Sequence, residues 1–252
     1  NQYRTSDHDP VVVGLIPNAA PTVNAGGPYS GNEGSSVTLT ASGSDPNGDS
    51  LTYAWDLDNN GSFETSGQSV SYIAPDGPGT YTVNVKATDP LGLFATASVD
   101  VTVANVAPTA TFGTPGSVNE GSAFGISLSG AFDPSVADTT AGFTYAFDCG
   151  TGYGAFGSSN GATCSAVDNP GVTVKGKIQD KDGGVTEYSA SVVINNVAPT
   201  VSASFASASL SCGTNNATLN VSFTDPGTLD THSAVINWGD GNTQTLSSVS
   251  SP

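Results

Sequence analysis

Asn105-Val106-Ala107-Pro108-Thr109 is the stretch that decides the fold, because versions of it occur three times. The other two are Asn18-Ala19-Ala20-Pro21-Thr22 and Asn195-Asn196-Val197-Ala198-Pro199-Thr200. The prolines recur at intervals of about 90 residues, a period that indicates an array of similar domains. Proline cannot donate a hydrogen bond to a β-ladder, so each copy separates one group of strands from the next. We call these three stretches the seams.

Between the seams, polar and apolar residues alternate in short runs such as Ser36–Ala41 and Tyr81–Ala87. Alternation with a period of two is typical of half-buried strands. Turn-forming residues separate the runs, as in Ser44-Asp45-Pro46-Asn47-Gly48, and no helical period is present. The pattern predicts an all-β chain of antiparallel β-sandwiches.

The same motifs follow one another in each unit. Asn32-Glu33-Gly34-Ser35 in residues 18–104 is echoed by Asn119-Glu120-Gly121-Ser122 in residues 105–197. Residues 198–252 begin a third copy but lack its final alternating strands. We therefore expect two complete sandwiches and a truncated third one, whose core is incompletely covered and whose edge is open.

Three recurring features resemble the polycystic kidney disease (PKD) domain, an immunoglobulin-like β-sandwich. They are an Asp-Pro turn, the aromatic strands Tyr53-Ala54-Trp55-Asp56 and Tyr145-Ala146-Phe147-Asp148, and Trp238-Gly239-Asp240-Gly241. The resemblance covers residues 18–252, although the Trp-Gly-Asp-Gly form is intact only in the third unit. It implies tandem extracellular modules that act as spacers, in adhesion, or in substrate approach beside a catalytic domain. The ligand would be an unidentified protein or polysaccharide, and no catalysis is implied.

Composition narrows the possible partners. The 252 residues include 22 acidic and 5 basic ones, for a net charge of −17. Such a charge opposes binding of these modules to nucleic acid or to an anionic membrane, because phosphate contacts need clustered lysine and arginine. It favours solubility or cation binding. No apolar run is long enough to insert into a membrane. Since each seam is short, we expect a monomeric, semi-rigid, elongated array that is secreted or displayed on the cell surface.

The best metal candidate is Asp56-Leu57-Asp58-Asn59-Asn60-Gly61 in the first sandwich. Asp56, Asp58 and Asn60 place oxygen atoms at alternate positions, and Ca²⁺ prefers six to eight oxygen ligands. The stretch resembles the start of an Asp-x-Asp-x-Asn-Gly calcium loop. The alternative is an acidic hairpin turn that needs no ion. Asp45, Asn47 and Asp49 form a second, weaker candidate.

Large aromatic residues fall at matching positions in the three units: Trp55, Phe147 and Trp238. We expect them to fill the sandwich cores, although an exposed aromatic row could bind a polysaccharide. His232 has no evident partner cluster in the sequence, and we expect it at the surface or at a strand end.

Cys149 and Cys164 lie in a Gly-rich part of the second unit. We interpret them as a disulfide that closes a loop, which implies an oxidising compartment; the alternative is two free buried thiols. Cys212 is left over, and its partner could lie outside the 252 residues.

Residues 1–17 differ from the rest of the chain. Ser6-Asp7-His8-Asp9-Pro10, followed by the apolar run Val11–Ile16, resembles the last catalytic segment of the endonuclease/exonuclease/phosphatase superfamily, a four-layered α/β fold. The resemblance implies that His8 is a general base or phosphate-orienting residue and that Asp7 orients it or binds Mg²⁺. The alternative is a chance turn before a strand.

This resemblance would make residues 1–17 the orphan end of a truncated α/β domain, without the rest of its active site. We therefore expect a non-catalytic module array from a larger secreted protein that carries a metal-dependent nuclease or phosphodiesterase. The alternative is a purely adhesive or structural array, with calcium-stabilised modules and no enzyme domain.

Overall fold

A computed structural model describes residues 14, 16–211 and 214–249. Asp7, His8, Cys212 and most of the predicted N-terminal strand lie outside the described residues. The chain divides into two compact units, Asn1–Val106 and Ala107–Pro252.

The first unit is a β-sandwich. One layer is a five-stranded sheet in the order β2-β9-β8-β5-β6. Two smaller two-stranded sheets pair β3 with β7 and β1 with β4. All pairs are antiparallel except β2 with β9. The strands are β1 (Thr22–Asn24), β2 (Tyr29–Asn32), β3 (Ser36–Thr40), β4 (Ser42–Ser44), β5 (Thr52–Asp56), β6 (Thr65–Ser66), β7 (Ser69–Ile73), β8 (Gly79–Thr88) and β9 (Phe94–Ala104).

Alternation along the strands builds the first core. In β3, Val37 and Leu39 point inward while the intervening serine and threonines face solvent. They pack with Trp55 of β5 and with valines of β8 and β9, so the cluster joins both layers. Trp55 is 0% exposed, and its indole N–H donates to the carbonyl of Gly67 at 3.0 Å. Burial of one such side chain contributes roughly 2 kcal/mol to the stability of the sandwich.

The second unit begins with another sandwich, made of a three-stranded sheet in the order β10-β12-β14 and a four-stranded sheet in the order β11-β16-β15-β13. Again one pair, β11 with β16, is parallel. Its core joins Phe124 and Ile126 of β12 to Val174 of β15 and Val192 of β16. The elements are β10 (Thr109–Gly113), β11 (Ser117–Asn119), β12 (Ala123–Phe132), α1 (Val136–Ala141), β13 (Thr144–Asp148), β14 (Gly161–Ser165), β15 (Gly171–Gln179) and β16 (Val185–Asn195).

The short helix α1 was not predicted by the sequence. Ser135 caps its first turn by accepting hydrogen bonds from the N–H groups of Ala137 at 3.2 Å and Asp138 at 3.3 Å. Gly142, at φ +82°, ends it. Six residues are fewer than two helical turns, so they are too few to show a hydrophobic period of 3.6.

A disulfide joins Cys149 to Cys164, with the two Cα atoms 5.4 Å apart. Cys149 follows β13, whereas Cys164 lies within β14. Because these strands belong to opposite sheets, the bond ties the two layers of the second sandwich together. The predicted pairing is confirmed.

The rest of the second unit has two separate hairpins. They pair β17 (Thr200–Ser211) with β18 (Thr214–Thr224) and β19 (His232–Asn237) with β20 (Thr243–Val249). Several of their described apolar side chains are exposed, with Phe205 74% and Val235 68% exposed. Trp238 is 40% exposed, so the prediction that it fills a core is wrong. The reason is that Trp238 lies in the turn between β19 and β20, which among the described residues pair only with each other. Phe147, by contrast, packs against the second core.

The prediction of an all-β chain of tandem immunoglobulin-like sandwiches is confirmed.

Candidate functional site

The predicted metal loop begins where β5 ends. Asp56 is 1% exposed and its two carboxylate oxygens are shared between successive backbone donors. Oδ1 accepts from the N–H of Asn60 at 3.1 Å, and Oδ2 accepts from the N–H of Gly61 at 3.0 Å. Gly61 has φ +91°, which permits the sharp bend that brings both N–H groups back to one carboxylate. Asp56 therefore holds the backbone of the loop close to the end of β5.

Electrostatics at Asp56 follow from these contacts. Burial opposes ionisation, but the N–H groups of Gly61 and Asn60 and the amide of Asn84 outweigh it. They hold the pKa of Asp56 below its ordinary value. The carboxylate is thus kept charged inside the fold.

The loop gathers carboxylates around the predicted residues. One oxygen each from Asp56, Asp58 and Glu64 lies within 4.8 Å of the others. Asn60 lies in the same loop, where its Oδ1 accepts from Ser62 N–H at 2.8 Å and its Nδ2 donates to Asp58 Oδ2 at 2.9 Å. The carboxylate oxygens could hold a hard cation. The hydrogen bonds within the loop are equally consistent with the alternative, an acidic turn that needs no ion. Calcium at this loop stays a prediction.

The second sandwich repeats the folding role of this aspartate without the other acidic groups. Asp148, at the end of β13, accepts from the N–H of Gly150 at 2.7 Å and of Gly152 at 2.8 Å. The donation from Gly152, then that from Gly150, lowers the pKa of Asp148. In both sandwiches, the aspartate at the end of the aromatic strand accepts backbone hydrogen bonds from the turn that follows and so stabilises that turn.

The second acidic turn, which contains Asp45, Asn47 and Asp49, forms a hydrogen bond to the first seam. Asp45 Oδ1 accepts from the N–H of Asn47 at 2.7 Å, and Asn47 Oδ1 accepts from the N–H of Ala19 at 2.8 Å. Asn18 donates to Asp89 Oδ2 at 2.8 Å. Asp45 Oδ2 and Asn18 Oδ1 are buried without a hydrogen-bond partner. Asp49 contributes only a long backbone contact of 3.4 Å to Asp45, so the predicted trio is not an oxygen cluster of its own.

Two buried glutamates have a role that the sequence did not reveal. Glu33 Oε1 accepts from the N–H of Val106 at 2.6 Å, and Oε2 accepts from the N–H of Gly77 at 2.7 Å. Glu120 Oε1 accepts from the N–H of Val197 at 2.5 Å. Each glutamate thus binds the seam that follows its own sandwich, and we call the pair the seam latches. The recurring Asn-Glu-Gly-Ser motif marked the repeat, but a glutamate before a strand gives no sign of such a distant partner.

His232 begins β19, as expected for a strand-end residue, but it also has a partner that the sequence did not reveal. Its Nε2 lies 2.9 Å from Oδ2 of Asp225, and its ring packs against Phe223 with centroids 4.7 Å apart. The hydrogen bond from His232 lowers the pKa of Asp225, and burial opposes this effect. The two residues are neighbours because they lie on either side of one turn, which sequence spacing alone does not show.

Within the described part of the chain, no helix combines the length and apolar character needed to cross a membrane.

Comparison with known proteins finds a family match for the first sandwich. Residues 18–103 match the model of the PKD domain family. A search of curated proteins finds no significant match.

Several solved structures are similar to parts of this chain. The PKD domain of an M14-like peptidase from Thermoplasmatales archaeon SCGC AB-540-F20 is 32% identical, over 35% of this chain and 99% of that one, with a TM-score of 0.28. The PKD1 domain of Vibrio anguillarum Epp is 27% identical, over 36% and 100% of the two chains, with a TM-score of 0.29. The fibronectin(III)-like modules of Clostridium thermocellum CbhA are 14% identical over 69% and 94%, with a TM-score of 0.31. By the matched residues, the first sandwich of this chain, residues 18–103, belongs to the PKD domain family.

Proposed function

We propose that this chain is a non-catalytic, extracellular array of β-sandwich modules that spaces, presents or anchors a larger protein. The observation that supports it most directly is the pair of seam latches. Glu33 and Glu120 fix the first residues of the following seam by backbone hydrogen bonds of 2.6 and 2.5 Å. Such contacts limit how freely a seam moves against its own sandwich, which suits a spacer.

Two further features fit an extracellular location. The Cys149–Cys164 disulfide needs an oxidising compartment to form and persist. The net charge of −17 keeps the modules soluble and repels anionic polymers.

Small-angle X-ray scattering of the full chain tests the proposal. We expect a monomer whose radius of gyration exceeds that of a compact protein of equal length, and whose flexibility rises when both latches are weakened by Glu33→Gln and Glu120→Gln. Asp100→Asn is the matched control, because Asp100 only accepts a surface hydrogen bond from Thr82. A compact or oligomeric particle, or latch variants identical to the control, would contradict the spacer function.

A second candidate function, calcium-dependent stabilisation of the modules, is favoured by the carboxylates of Asp56, Asp58 and Glu64. In this case millimolar calcium raises the melting temperature of the first sandwich, and Asp58→Ala abolishes the rise. Asp58 is chosen because it is exposed, whereas Asp56 is buried and accepts the backbone hydrogen bonds that form the turn. A melting temperature that does not respond to calcium rules this candidate out.

We also propose that the modules serve a catalytic domain, a metal-dependent nuclease or phosphodiesterase that uses Mg²⁺. The support is the Ser6-Asp7-His8-Asp9-Pro10 motif alone. The coding sequence upstream of Asn1 tests it. A mixed α/β domain with further Asn, Glu, Asp and His motifs would support a catalytic role for Asp7 and His8 in the whole protein. Further sandwich repeats there would exclude it.

A further inference from the structure

A second group of carboxylates lies inside the second unit, where its sandwich meets the hairpins that follow. Glu120 comes directly after β11, Asp168 lies between β14 and β15, and Asp230 lies just before β19. One carboxylate oxygen from each is within 4.8 Å of the other two. We call this group the seam cluster. It brings together three segments that are far apart in the sequence.

Glu120 carries an oxygen that has no protein partner. Its side chain is 2% exposed, and Oε1 is used by the latch to Val197, but Oε2 is buried without a hydrogen bond. In the first sandwich the equivalent oxygen of Glu33 accepts from the N–H of Gly77. The matching residue of the second sandwich is Asn169, since Asp76-Gly77-Pro78 aligns with Asp168-Asn169-Pro170. Leaving a buried carboxylate oxygen unsatisfied costs free energy, so the second sandwich needs another partner at this point.

Gly227 keeps open the space beside that oxygen. A Cβ atom at Gly227 would lie 2.8 Å from Glu120 Oε2 and 2.7 Å from Asp230 Oδ2, closer than Cβ atoms approach oxygens. The N–H of Gly227 does not serve the cluster, because it donates to Asp225 Oδ1 at 2.8 Å. The absence of a side chain at Gly227 therefore allows the two carboxylates to approach each other, and the Gly227 backbone N–H donates to neither of them.

Asn196 of the third seam adds one more polar group. One terminal atom of its amide lies 3.0 Å from Asp230 Oδ2 and 3.1 Å from Glu120 Oε1. With nitrogen at that place, the amide donates to both carboxylates. With oxygen there, Oδ1 accepts from Asn169 Nδ2 at 3.3 Å and adds a fourth oxygen to the same group. A half-turn of the amide exchanges the two arrangements.

No lysine of the described residues is paired with the seam cluster. Lys175 and Lys177 pair with Glu187, and Lys181 pairs with Asp138 and Asp182. Within the described part of the chain, no lysine therefore neutralises the negative charge of the seam cluster.

We propose that the seam cluster binds a Ca²⁺ ion between the second sandwich and the hairpins that follow it, with Glu120, Asp168 and Asp230 as carboxylate ligands and the Asn196 amide oxygen as a fourth. Two oxygens on opposite sides of a Ca²⁺ ion are about 4.8 Å apart, since each Ca–O distance is about 2.4 Å. The spacing of the three carboxylates fits within this span. Waters complete the coordination.

The donor set selects the class of ion. Carboxylate and amide oxygens suit hard cations, whereas zinc and copper sites use histidine and cysteine. Mg²⁺ demands near-octahedral geometry and gives up its waters reluctantly, which disfavours a site built from three separate segments. His232 is held by Asp225 and is not needed for the site.

This inference goes beyond the spacer function, because it assigns a ligand and makes the geometry of the third seam depend on it. It is also separate from the loop at Asp56, which lies in the other unit. The cation would hold the end of β11, the β14–β15 connection and the turn before β19 in fixed positions. The seam between Asn195 and Thr200 would then lose mobility when calcium is bound.

Calorimetric titration of the full chain with calcium chloride tests the site. Asp58→Ala is introduced first, so that the Asp56 loop contributes nothing. In that background we expect a single calcium site, weakened at least tenfold by Glu120→Gln and by Asp230→Asn. Asp240→Asn is the matched control, because Asp240 is an exposed turn residue of the same unit whose partner is Asn242. A parallel titration with magnesium chloride should give weaker binding.

Two further measurements separate loss of the site from loss of the fold. In EDTA, Asp230→Asn should melt no lower than the parent, because it relieves repulsion among carboxylates. Calcium should slow proteolysis of the third seam in the parent several-fold, and it should have no such effect in Asp230→Asn. The proposal is wrong if the parent binds no calcium, or if the variants bind it as tightly as the Asp240→Asn control. It is also wrong if Asp230→Asn melts lower in EDTA and Asp168→Asn still binds calcium normally.

Discussion

Oε1 of Glu33 accepts a hydrogen bond at 2.6 Å from the backbone N–H of Val106, which lies 73 residues further along the chain. Glu120 and Val197, 77 residues apart, repeat the contact at 2.5 Å. In both sandwiches the glutamate directly follows the strand that pairs in parallel with the last strand of the module. One buried carboxylate thus closes each module at the point where the chain leaves it.

Replacement of Glu33 by alanine should destabilise the first sandwich by roughly 3 kcal/mol. The change leaves the buried N–H groups of Gly77 and Val106 without an acceptor, and charged hydrogen bonds of this kind are strong. The quantity to measure is the free energy of unfolding in urea, followed by the fluorescence of Trp55. Glu64→Ala, in the acidic loop of the same sandwich, is the control and should change it by less than about 0.5 kcal/mol. Equal changes in the free energy of unfolding for the two substitutions would mean that the Glu33 latch does not stabilise the first sandwich more than a surface glutamate does.

The two tryptophans should respond very differently to truncation. Trp55→Ala opens a cavity in a packed core and should cost about 3–5 kcal/mol, enough to unfold the first sandwich. Trp238 is 40% exposed, so Trp238→Ala should cost less than about 1 kcal/mol. Circular dichroism during thermal unfolding distinguishes the two. A large loss on Trp238→Ala would show that its hairpin is covered in solution.

Loss of the Cys149–Cys164 bond should destabilise the second sandwich alone. Its sequence separation of 15 residues corresponds to about 3 kcal/mol in the chain-entropy description. We expect the double substitution Cys149→Ser with Cys164→Ser to lower the melting temperature of the second sandwich and to leave the first one unchanged. Hydrogen exchange followed by mass spectrometry reads the two modules separately. Equal loss of protection in both would show that their stabilities are coupled.

Acid should weaken the first sandwich through Asp56. Its pKa is lower in the folded protein than in the unfolded chain, so the ionised form stabilises the fold above pH about 4, and this contribution disappears as the pH falls through the folded pKa. Asp56→Asn should therefore be less stable than the parent at about pH 7, and the gap should narrow at about pH 3. Urea midpoints at both pH values measure the gap. A gap that is constant with pH would exclude a role for the charge of Asp56.

The repeated seams and the alternating strands were enough to predict the sandwiches, because strand period, proline and turn chemistry are local properties of the sequence. The disulfide was predictable for a similar reason, since two cysteines lie close together in one module. Trp55 was correctly placed in a core, but Trp238 was not, even though the two have similar local sequences. Whether an aromatic residue is covered depends on strands elsewhere in the fold, and local sequence does not contain that information.

The polar groups were harder to predict. The spacing of Asp56 and Asp58 pointed to the first loop, but it did not show that Asn60 bonds to Ser62 and Asp58 or that the Glu64 carboxylate lies near the two aspartates. The seam latches and the seam cluster join residues that are far apart in the chain. Glu120 has nothing in its neighbourhood to distinguish it from a surface glutamate; only the fold brings Val197 and Asp230 to it.

The parallel pairing of β2 with β9 has a mechanical consequence. The backbone of Tyr29–Asn32 lies beside Val101–Ala104, at the entry and exit of the first module. Tension applied through the neighbouring seams would pull these two strands in opposite directions along their length. Their hydrogen bonds would then be loaded together in shear and could not be peeled apart one at a time. The β11–β16 pair has the same arrangement, so each complete module carries its own clamp against stretching.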